Sequence, residues 1–219
     1  MDNYVITIAR GFGTGGREIA SQLADELGIH SYENRILTLA SQLSGYEESV
    51  FRETDEHLHG TLWGAKLREL PKRLIPFANE TPFASDEKLF EYQKQIIEGL
   101  ADSESCIIVG KCADYILKDR ENVLSVYIEA PRPYCLKKVM NRMNVTEEEA
   151  ARMISRTDKY RADYYKFYTG GNYWTNPVNY DLTLNAARMG QDNCIQIILQ
   201  SLCLKLGEEN YQKLVAKKA

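Results

Sequence analysis

A glycine-dense segment near the amino terminus has the residue pattern best suited to chemistry. Four of the six residues from 11 to 16 are glycine, and they separate an apolar stretch from an amphipathic one. Glycines allow the backbone to turn tightly so that several N–H groups point at one anion, and a helix beginning there adds the positive end of its dipole. The segment is therefore typical of a phosphate-binding loop, which we expect to comprise Gly11, Phe12, Gly13, Thr14, Gly15, Gly16, Arg17 and Glu18.

Two known motifs overlap in this segment and predict different ligands. The pattern G-x-G-x-x-G over residues 11–16 is that of a dinucleotide-binding turn, and Glu33 stands roughly where a ribose-binding acid is expected. The pattern G-x-x-x-x-G-R-E over residues 11–18 is a P-loop whose usual Lys and Ser/Thr are replaced by Arg17 and Glu18. A cation directly after the last glycine favours the P-loop, because dinucleotide loops neutralise pyrophosphate mainly through backbone N–H groups. A dinucleotide site and a glycine-rich turn that binds nothing remain as alternatives.

A second group of charged residues lies within residues 132–166. This stretch contains nine Lys or Arg against five Asp or Glu, although the whole chain has a net charge of −4. Arg152 and Arg156 lie one turn apart on a predicted helix and therefore share a face. Taken by themselves, these charges favour a solvated helix face with pairs such as Glu148–Arg152.

The periodicity of hydrophobic residues predicts the strands and helices that would position these charged residues. We predict strands over residues 4–9, 29–32, 106–110, 123–130 and 180–185. We predict helices over residues 16–27, 114–118, 133–143, 146–168 and 191–206, and a largely helical region over 34–100. Gly28 ends the first helix, and the capping-box pair Thr146 and Glu149 begins the fourth. The alternation predicts an α/β fold, a three-layer doubly wound parallel sheet of about five strands that binds ligands at the carboxyl ends of its strands.

Composition limits the remaining possibilities. The 219 residues are 44% hydrophobic and 26% charged, as in an ordinary soluble globular protein of one domain. The five cysteines are scattered without metal-ligand spacing, and no apolar run approaches the roughly 18 residues of a membrane span. The net negative charge argues against a nucleic-acid surface spread over the whole molecule. We therefore expect a cytoplasmic monomer or homodimer that acts on a small molecule and binds neither membranes nor nucleic acid.

Four blocks of the sequence together resemble the cytidylate kinase-like family. They are residues 6–28, 108–114, 157–165 and 179–185, so the resemblance spans nearly the whole chain. It implies the nucleoside monophosphate kinase fold, with one P-loop kinase-like domain over residues 1–219, a helical acceptor-binding insertion over 34–100 and a mobile lid over 144–175. It also implies that ATP gives its γ-phosphoryl group to CMP, dCMP or a similar nucleoside monophosphate, with Mg²⁺.

The resemblance gives roles to the charged residues on the phosphate side. Arg17 takes the position of the lysine that bridges the β- and γ-phosphates; arginine can grip oxygens bidentately, but it is bulkier and planar. Arg156 and Arg161 match lid arginines that stabilise charge on the transferring phosphoryl group, and Asp158 matches the same pattern as a substrate-side residue. Glu18 either contributes to a magnesium site or only interacts with the helix dipole.

Four other residues are candidates for binding the acceptor. Glu33 and Arg35 follow the second strand, where they could contact a sugar or a phosphate, and an ordinary helix start is the alternative. Lys111 and Asp114 follow a buried strand at its carboxyl end, and Asp114 could instead be only a helix-capping acid. In cytidylate kinases the matching stretch reads Gly-Arg-Asp, so this sequence keeps the cation but has Cys112 in place of the acid.

Two other functions remain compatible with the same motifs. The altered residues Arg17 and Glu18 would suit a nucleotide-binding sensor or pseudo-kinase that binds without turnover. A P-loop kinase for a small hydroxylated metabolite would keep the loop and the lid and change the region over residues 34–100.

Overall fold

The computed structural model describes residues 2–44 and 82–215. The chain divides into two compact units, which are Met1–Glu33 with Ile97–Ala219, and Asn34–Ile96. Most of the predicted insertion over residues 34–100 lies outside the described residues, so its acceptor-binding role stays a prediction.

The predicted strands and helices are present with small shifts at their ends. The strands are β1 Val5–Arg10, β2 His30–Tyr32, β3 Cys106–Val109, β4 Val123–Glu129 and β5 Leu182–Asn185. The helices are α1 Gly16–Leu27, α2 Arg35–Ser44, α3 Pro82–Ser103, α4 Ala113–Ile116, α5 Arg132–Met143, α6 Glu147–Tyr168, α7 Ala186–Met189, α8 Gln191–Leu206 and α9 Glu208–Val215. The helices α7 and α9 were not predicted. None of the described helices is long and apolar enough to cross a membrane.

The five strands form one parallel sheet, which confirms the predicted α/β fold. The strand order is β2-β3-β1-β4-β5, and β1 pairs with β3 on one side and with β4 on the other. The loop after β1 therefore leaves the carboxyl edge at the centre of the sheet, where such folds bind ligands. The dinucleotide-binding fold places β2 beside β1, whereas β3 separates these strands here. The topology thus does not support the dinucleotide interpretation of the loop.

A layer of aliphatic side chains between the sheet and helices α1 and α8 forms the main core. Ile6 and Ile8 of β1 pack with Leu23 of α1 and Ile198 of α8, and all four are fully buried. Burying each such side chain is worth about 1.5–3 kcal/mol relative to leaving it exposed. This packing holds β1 and α1 in fixed positions and therefore also the loop that joins them.

Helix ends follow the predicted capping residues. Gly28 ends α1 in a left-handed conformation and donates its backbone N–H to the last turn. Thr146 and Glu149 form the reciprocal hydrogen bonds of a capping box at the start of α6. The predicted pair Glu148–Arg152 is present on the same helix at 3.1 Å.

Candidate functional site: a cationic cavity at the glycine loop

The loop between β1 and α1 follows a backbone path that requires glycine at two positions. Gly13 and Gly15 have φ angles of 84° and 92°, in the left-handed region that other residues avoid. A Cβ on Gly13 would also lie 3.0 Å from the carbonyl oxygen of Cys135, so the packing leaves little room for alanine. Thr14 is buried, and its hydroxyl donates to the Gly11 carbonyl at 3.0 Å. The Thr14 side chain therefore stabilises the turn by a hydrogen bond within it, and the backbone of the loop is left to face a ligand.

The loop forms one wall of a cavity of about 510 Å³. Among the described residues that line this cavity, five side chains are cationic and two are anionic: Arg10, Arg17, Lys138, Arg142 and Arg161, against Glu18 and Glu33. The lining charge is thus +3 in a chain whose net charge is −4. A concave surface lined by one sign of charge concentrates ligands of the opposite sign. The cavity is therefore suited to a polyphosphate, as the loop pattern predicts.

Glu33 holds two of the cavity arginines. Its carboxylate pairs with Arg10 Nη2 at 2.5 Å and with Arg17 Nε at 2.8 Å. The Arg17 side chain is 63% exposed, so its pair is screened by water and adds little stability. Glu33 therefore keeps Arg17 at the cavity, while the guanidinium can exchange the carboxylate for a phosphate oxygen at low cost.

Helix α6 contacts the glycine loop through Asp158 and Arg161. Asp158 Oδ1 accepts a hydrogen bond from the Phe12 backbone N–H at 2.8 Å, and Arg161 Nη1 donates to the Arg10 carbonyl oxygen at 2.9 Å. The Arg161 guanidinium also lies 5.8 Å from the centroid of the Phe12 ring. Burial raises the pKa of Asp158, and the Phe12 N–H and Arg161 partly offset that rise. The predicted lid helix thus places a guanidinium in the cavity itself.

Glu18 lines the cavity from the first turn of α1. Its Oε1 lies 3.5 Å from Arg142 Nη1, and both side chains are more than one-third exposed, so this ion pair is weak. A carboxylate oxygen beside a phosphate cavity suits Mg²⁺, which commonly takes one or two carboxylates together with phosphate oxygens and water. Glu18 therefore fits a magnesium ion bound with a nucleotide.

Six of the predicted site residues are not part of this cavity lining. Two of them still contact the loop: Thr14 is buried inside the turn, and Asp158 accepts the hydrogen bond from the Phe12 N–H. The other four are Arg35, Lys111, Asp114 and Arg156. Arg156 is exposed on α6, and Lys111 and Asp114 lie outside the lining. Arg35 is the first residue of α2, in the unit Asn34–Ile96, and its acceptor role stays a prediction.

Asp114 lies instead in a second cavity, of about 380 Å³. Asp114 is 5% exposed, and its Oδ2 accepts a hydrogen bond from the Tyr165 hydroxyl at 2.7 Å. Burial raises the pKa of Asp114 to about 6, although the Tyr165 hydroxyl offsets part of the rise. Asp114 follows a turn in which Gly110, Lys111 and Cys112 are all left-handed. The side chain thus connects α4 to the predicted lid helix.

Three of the five cavity cations were not predicted from the sequence. Arg10 is the last residue of β1, and its position directly before the first glycine was the available signal. Lys138 and Arg142 lie one turn apart on α5, so the i,i+4 spacing was visible. Nothing local in the sequence shows that this face of α5 lies against the loop.

Comparison with known proteins gives a family and a fold. The cytidylate kinase-like family matches residues 5–188. The crystal structure of an uncharacterised protein from Eubacterium ventriosum is 25% identical, with a TM-score of 0.64 over 91% of this chain and 98% of that chain. Shikimate kinase from Acinetobacter baumannii, in complex with shikimate, is 12% identical over 92% of this chain and 94% of that chain; its TM-score of 0.49 is too low to support an inference. No curated protein matches the sequence. Because the family model covers residues 5–188, which include the glycine loop and all five strands of the parallel sheet, the chain belongs to the cytidylate kinase-like family.

Proposed function

We propose that this protein transfers the γ-phosphoryl group of ATP to a nucleoside monophosphate, with CMP or dCMP as the first candidates and Mg²⁺ as the metal. The observation that carries the proposal is the cavity at the glycine loop, which is cationic in an acidic chain. The choice of CMP or dCMP rests on the family resemblance.

The residues of the cavity suit the demands of phosphoryl transfer. The reaction needs two phosphate groups held in line and their negative charge neutralised, with little covalent chemistry from the protein. The loop N–H groups and the α1 dipole would hold the donor phosphates. Arg17 and Arg161, which approach the cavity from two different helices, would neutralise the charge that develops on the transferring group.

Magnesium would be held by the donor phosphates and by Glu18. When bound, the ion would supply positive charge that offsets the charge of the phosphate groups. Glu18 would give up its weak pair with Arg142, whose guanidinium could then contact phosphate.

The acceptor side is assigned to residues near the end of β2. Glu33 is 2.8 Å from Arg17, so an acceptor bound beside Glu33 would lie close to the donor phosphates. We propose Glu33, Arg35, Lys111, Asp114 and Asp158 as acceptor contacts, of which only Glu33 lines the loop cavity.

A coupled assay of ADP release tests the proposal. The acceptors are CMP, dCMP, UMP, AMP, GMP, a mixture of small hydroxylated metabolites, and none. We expect turnover with one monophosphate that is lost in Arg17→Ala and kept in Arg152→Ala, which removes an exposed arginine paired with Glu148. ATP binding without turnover on any acceptor would contradict the kinase activity and favour a nucleotide sensor. Turnover only with a small metabolite would show that the acceptor is not a nucleoside monophosphate.

A further inference from the structure

Lys138 differs from the other four cations of the cavity in its partners. Each of the others has a carboxylate within 4.0 Å: Arg10 and Arg17 at Glu33, Arg142 at Glu18, and Arg161 at Asp158. Among residues 2–44 and 82–215, Lys138 has no such partner, and its Nζ lies 5.8 Å from the centroid of the Tyr134 ring. Lys138 thus brings to the cavity a positive charge that no described carboxylate holds within 4.0 Å, although Glu18 Oε2 lies beside the same part of the loop, 4.0 Å from a Cβ built on Gly15.

The Lys138 ammonium lies directly against the glycine loop. A Cβ built on Gly15 would be 2.8 Å from Lys138 Nζ, so the ammonium occupies the space beside the backbone at the start of α1. A helix start carries partial positive charge, which makes a cation there unfavourable unless an anion lies between them. Conflicts of this kind between local rules and structure are expected at functional sites.

The residue after the last glycine, Arg17, also lines the cavity but offers a different kind of cation. Arg17 is largely exposed and its guanidinium is held by Glu33. A lysine offers a compact charge with three rotatable donors, whereas arginine offers a planar fork, so the two cations do not bind a phosphate chain in the same way. The half-buried Lys138 therefore adds a compact ammonium group to the planar guanidinium that Arg17 supplies.

We propose that Lys138 supplies the compact phosphate-binding cation of this loop, from helix α5 instead of from the P-loop position. Its ligand is the terminal phosphate groups of a nucleoside triphosphate. The inference rests on the proposed function for the identity of that ligand, while the binding step can be measured without turnover.

Calorimetric titration of the full chain tests the proposal, with Mg-ATP, AMP and inorganic tripolyphosphate as the probes. Lys138→Met and Lys138→Gln both remove the charge, and Lys137→Met is the matched control because Lys137 is the exposed neighbour on the same helix. A hydrogen bond from a charged group is worth enough to predict an affinity loss of about ten- to hundredfold for ATP and tripolyphosphate. We expect AMP binding to change by less than about threefold.

The outcomes separate the inference from the proposed function. If Lys138→Met or Lys138→Gln is folded, as shown by its thermal unfolding, and binds ATP and tripolyphosphate as tightly as Lys137→Met does, the inference is wrong. The inference is equally wrong if the wild-type protein binds neither ATP nor tripolyphosphate. It is also wrong if the Lys138 variants lose as much affinity for AMP as for ATP. A loss confined to ATP and tripolyphosphate supports Lys138 even where no acceptor is phosphorylated, and in that case only the proposed kinase activity fails.

Discussion

Replacing Asp114 with Asn should remove a pH dependence of stability that this buried carboxyl creates. Burial raises its pKa from 3.8 to about 6, while the Tyr165 hydroxyl and backbone N–H groups offset part of the rise. Because the folded state holds the proton more tightly than the unfolded state, the stabilising contribution is complete below about pH 4 and is lost as the pH rises through about 6. A difference of roughly two pKa units corresponds to about 3 kcal/mol.

Urea unfolding of both proteins, from about pH 4.5 to about pH 7.5, measures this contribution. The free energy of unfolding of the wild type, relative to Asp114→Asn, should fall by about 2 kcal/mol across that range, because part of the contribution is already lost at about pH 4.5. Asp181→Asn is the control: burial raises the pKa of Asp181, but hydrogen bonds from Lys205 and Ser125 outweigh it and the net shift is downward. Asp181 therefore titrates below this pH range, and the difference in free energy of unfolding between the wild type and Asp181→Asn should stay constant across it. A level or rising difference for Asp114→Asn would refute the reasoning.

Three further predictions concern the loop cavity. Gly13→Ala should weaken ATP binding more than about tenfold in a calorimetric titration, because its φ is 84° and its Cβ would meet the Cys135 carbonyl oxygen. Gly99→Ala is the control: it lies in a helix, no atom lies within 4 Å of its new Cβ, and it should raise the free energy of unfolding by roughly 0.5–1 kcal/mol without weakening ATP binding. Gly13→Ala that binds ATP as tightly as Gly99→Ala does would contradict the loop geometry. Glu18→Gln should raise the Mg²⁺ concentration needed for half-maximal turnover, and an unchanged requirement would leave Glu18 only a role at the helix dipole. Arg161→Ala should lower kcat by about a hundredfold with a smaller change in ATP affinity, and Arg156→Ala should change both far less; an equal loss in kcat and affinity for Arg161→Ala would contradict the lid role.

Local patterns were sufficient to predict most of the fold. The apolar runs of β3 and β4 indicate strands buried on both faces, and Gly28 and the Thr146–Glu149 pair mark helix ends by the hydrogen bonds they make. The order of the strands was not visible in the same way, because the pairing of β1 with β3 and β4 joins residues about a hundred positions apart. The short helix α7 has too few residues for a periodic pattern.

The candidate site was less predictable than the fold, for a physical reason. The glycines, Arg17 and Glu18 are consecutive, so their common site follows from the chain itself. Lys138 and Arg161 reach the cavity only because α5 and α6 pack against the loop, and many lysines and arginines on amphipathic helices look the same in sequence. The environment of Asp114 likewise depends on Tyr165, which is 51 residues away in the chain.

The central claim is that the loop cavity moves a phosphoryl group from ATP to a nucleoside monophosphate. Incubation with ATP carrying radioactive phosphorus in its γ-phosphate, together with Mg²⁺ and CMP, followed by chromatography of the nucleotides, tests it most directly. We expect label to appear in CDP and Arg17→Ala to abolish its appearance. Label that stays in ATP or appears only as inorganic phosphate, with CMP and with every other monophosphate, would contradict the claim.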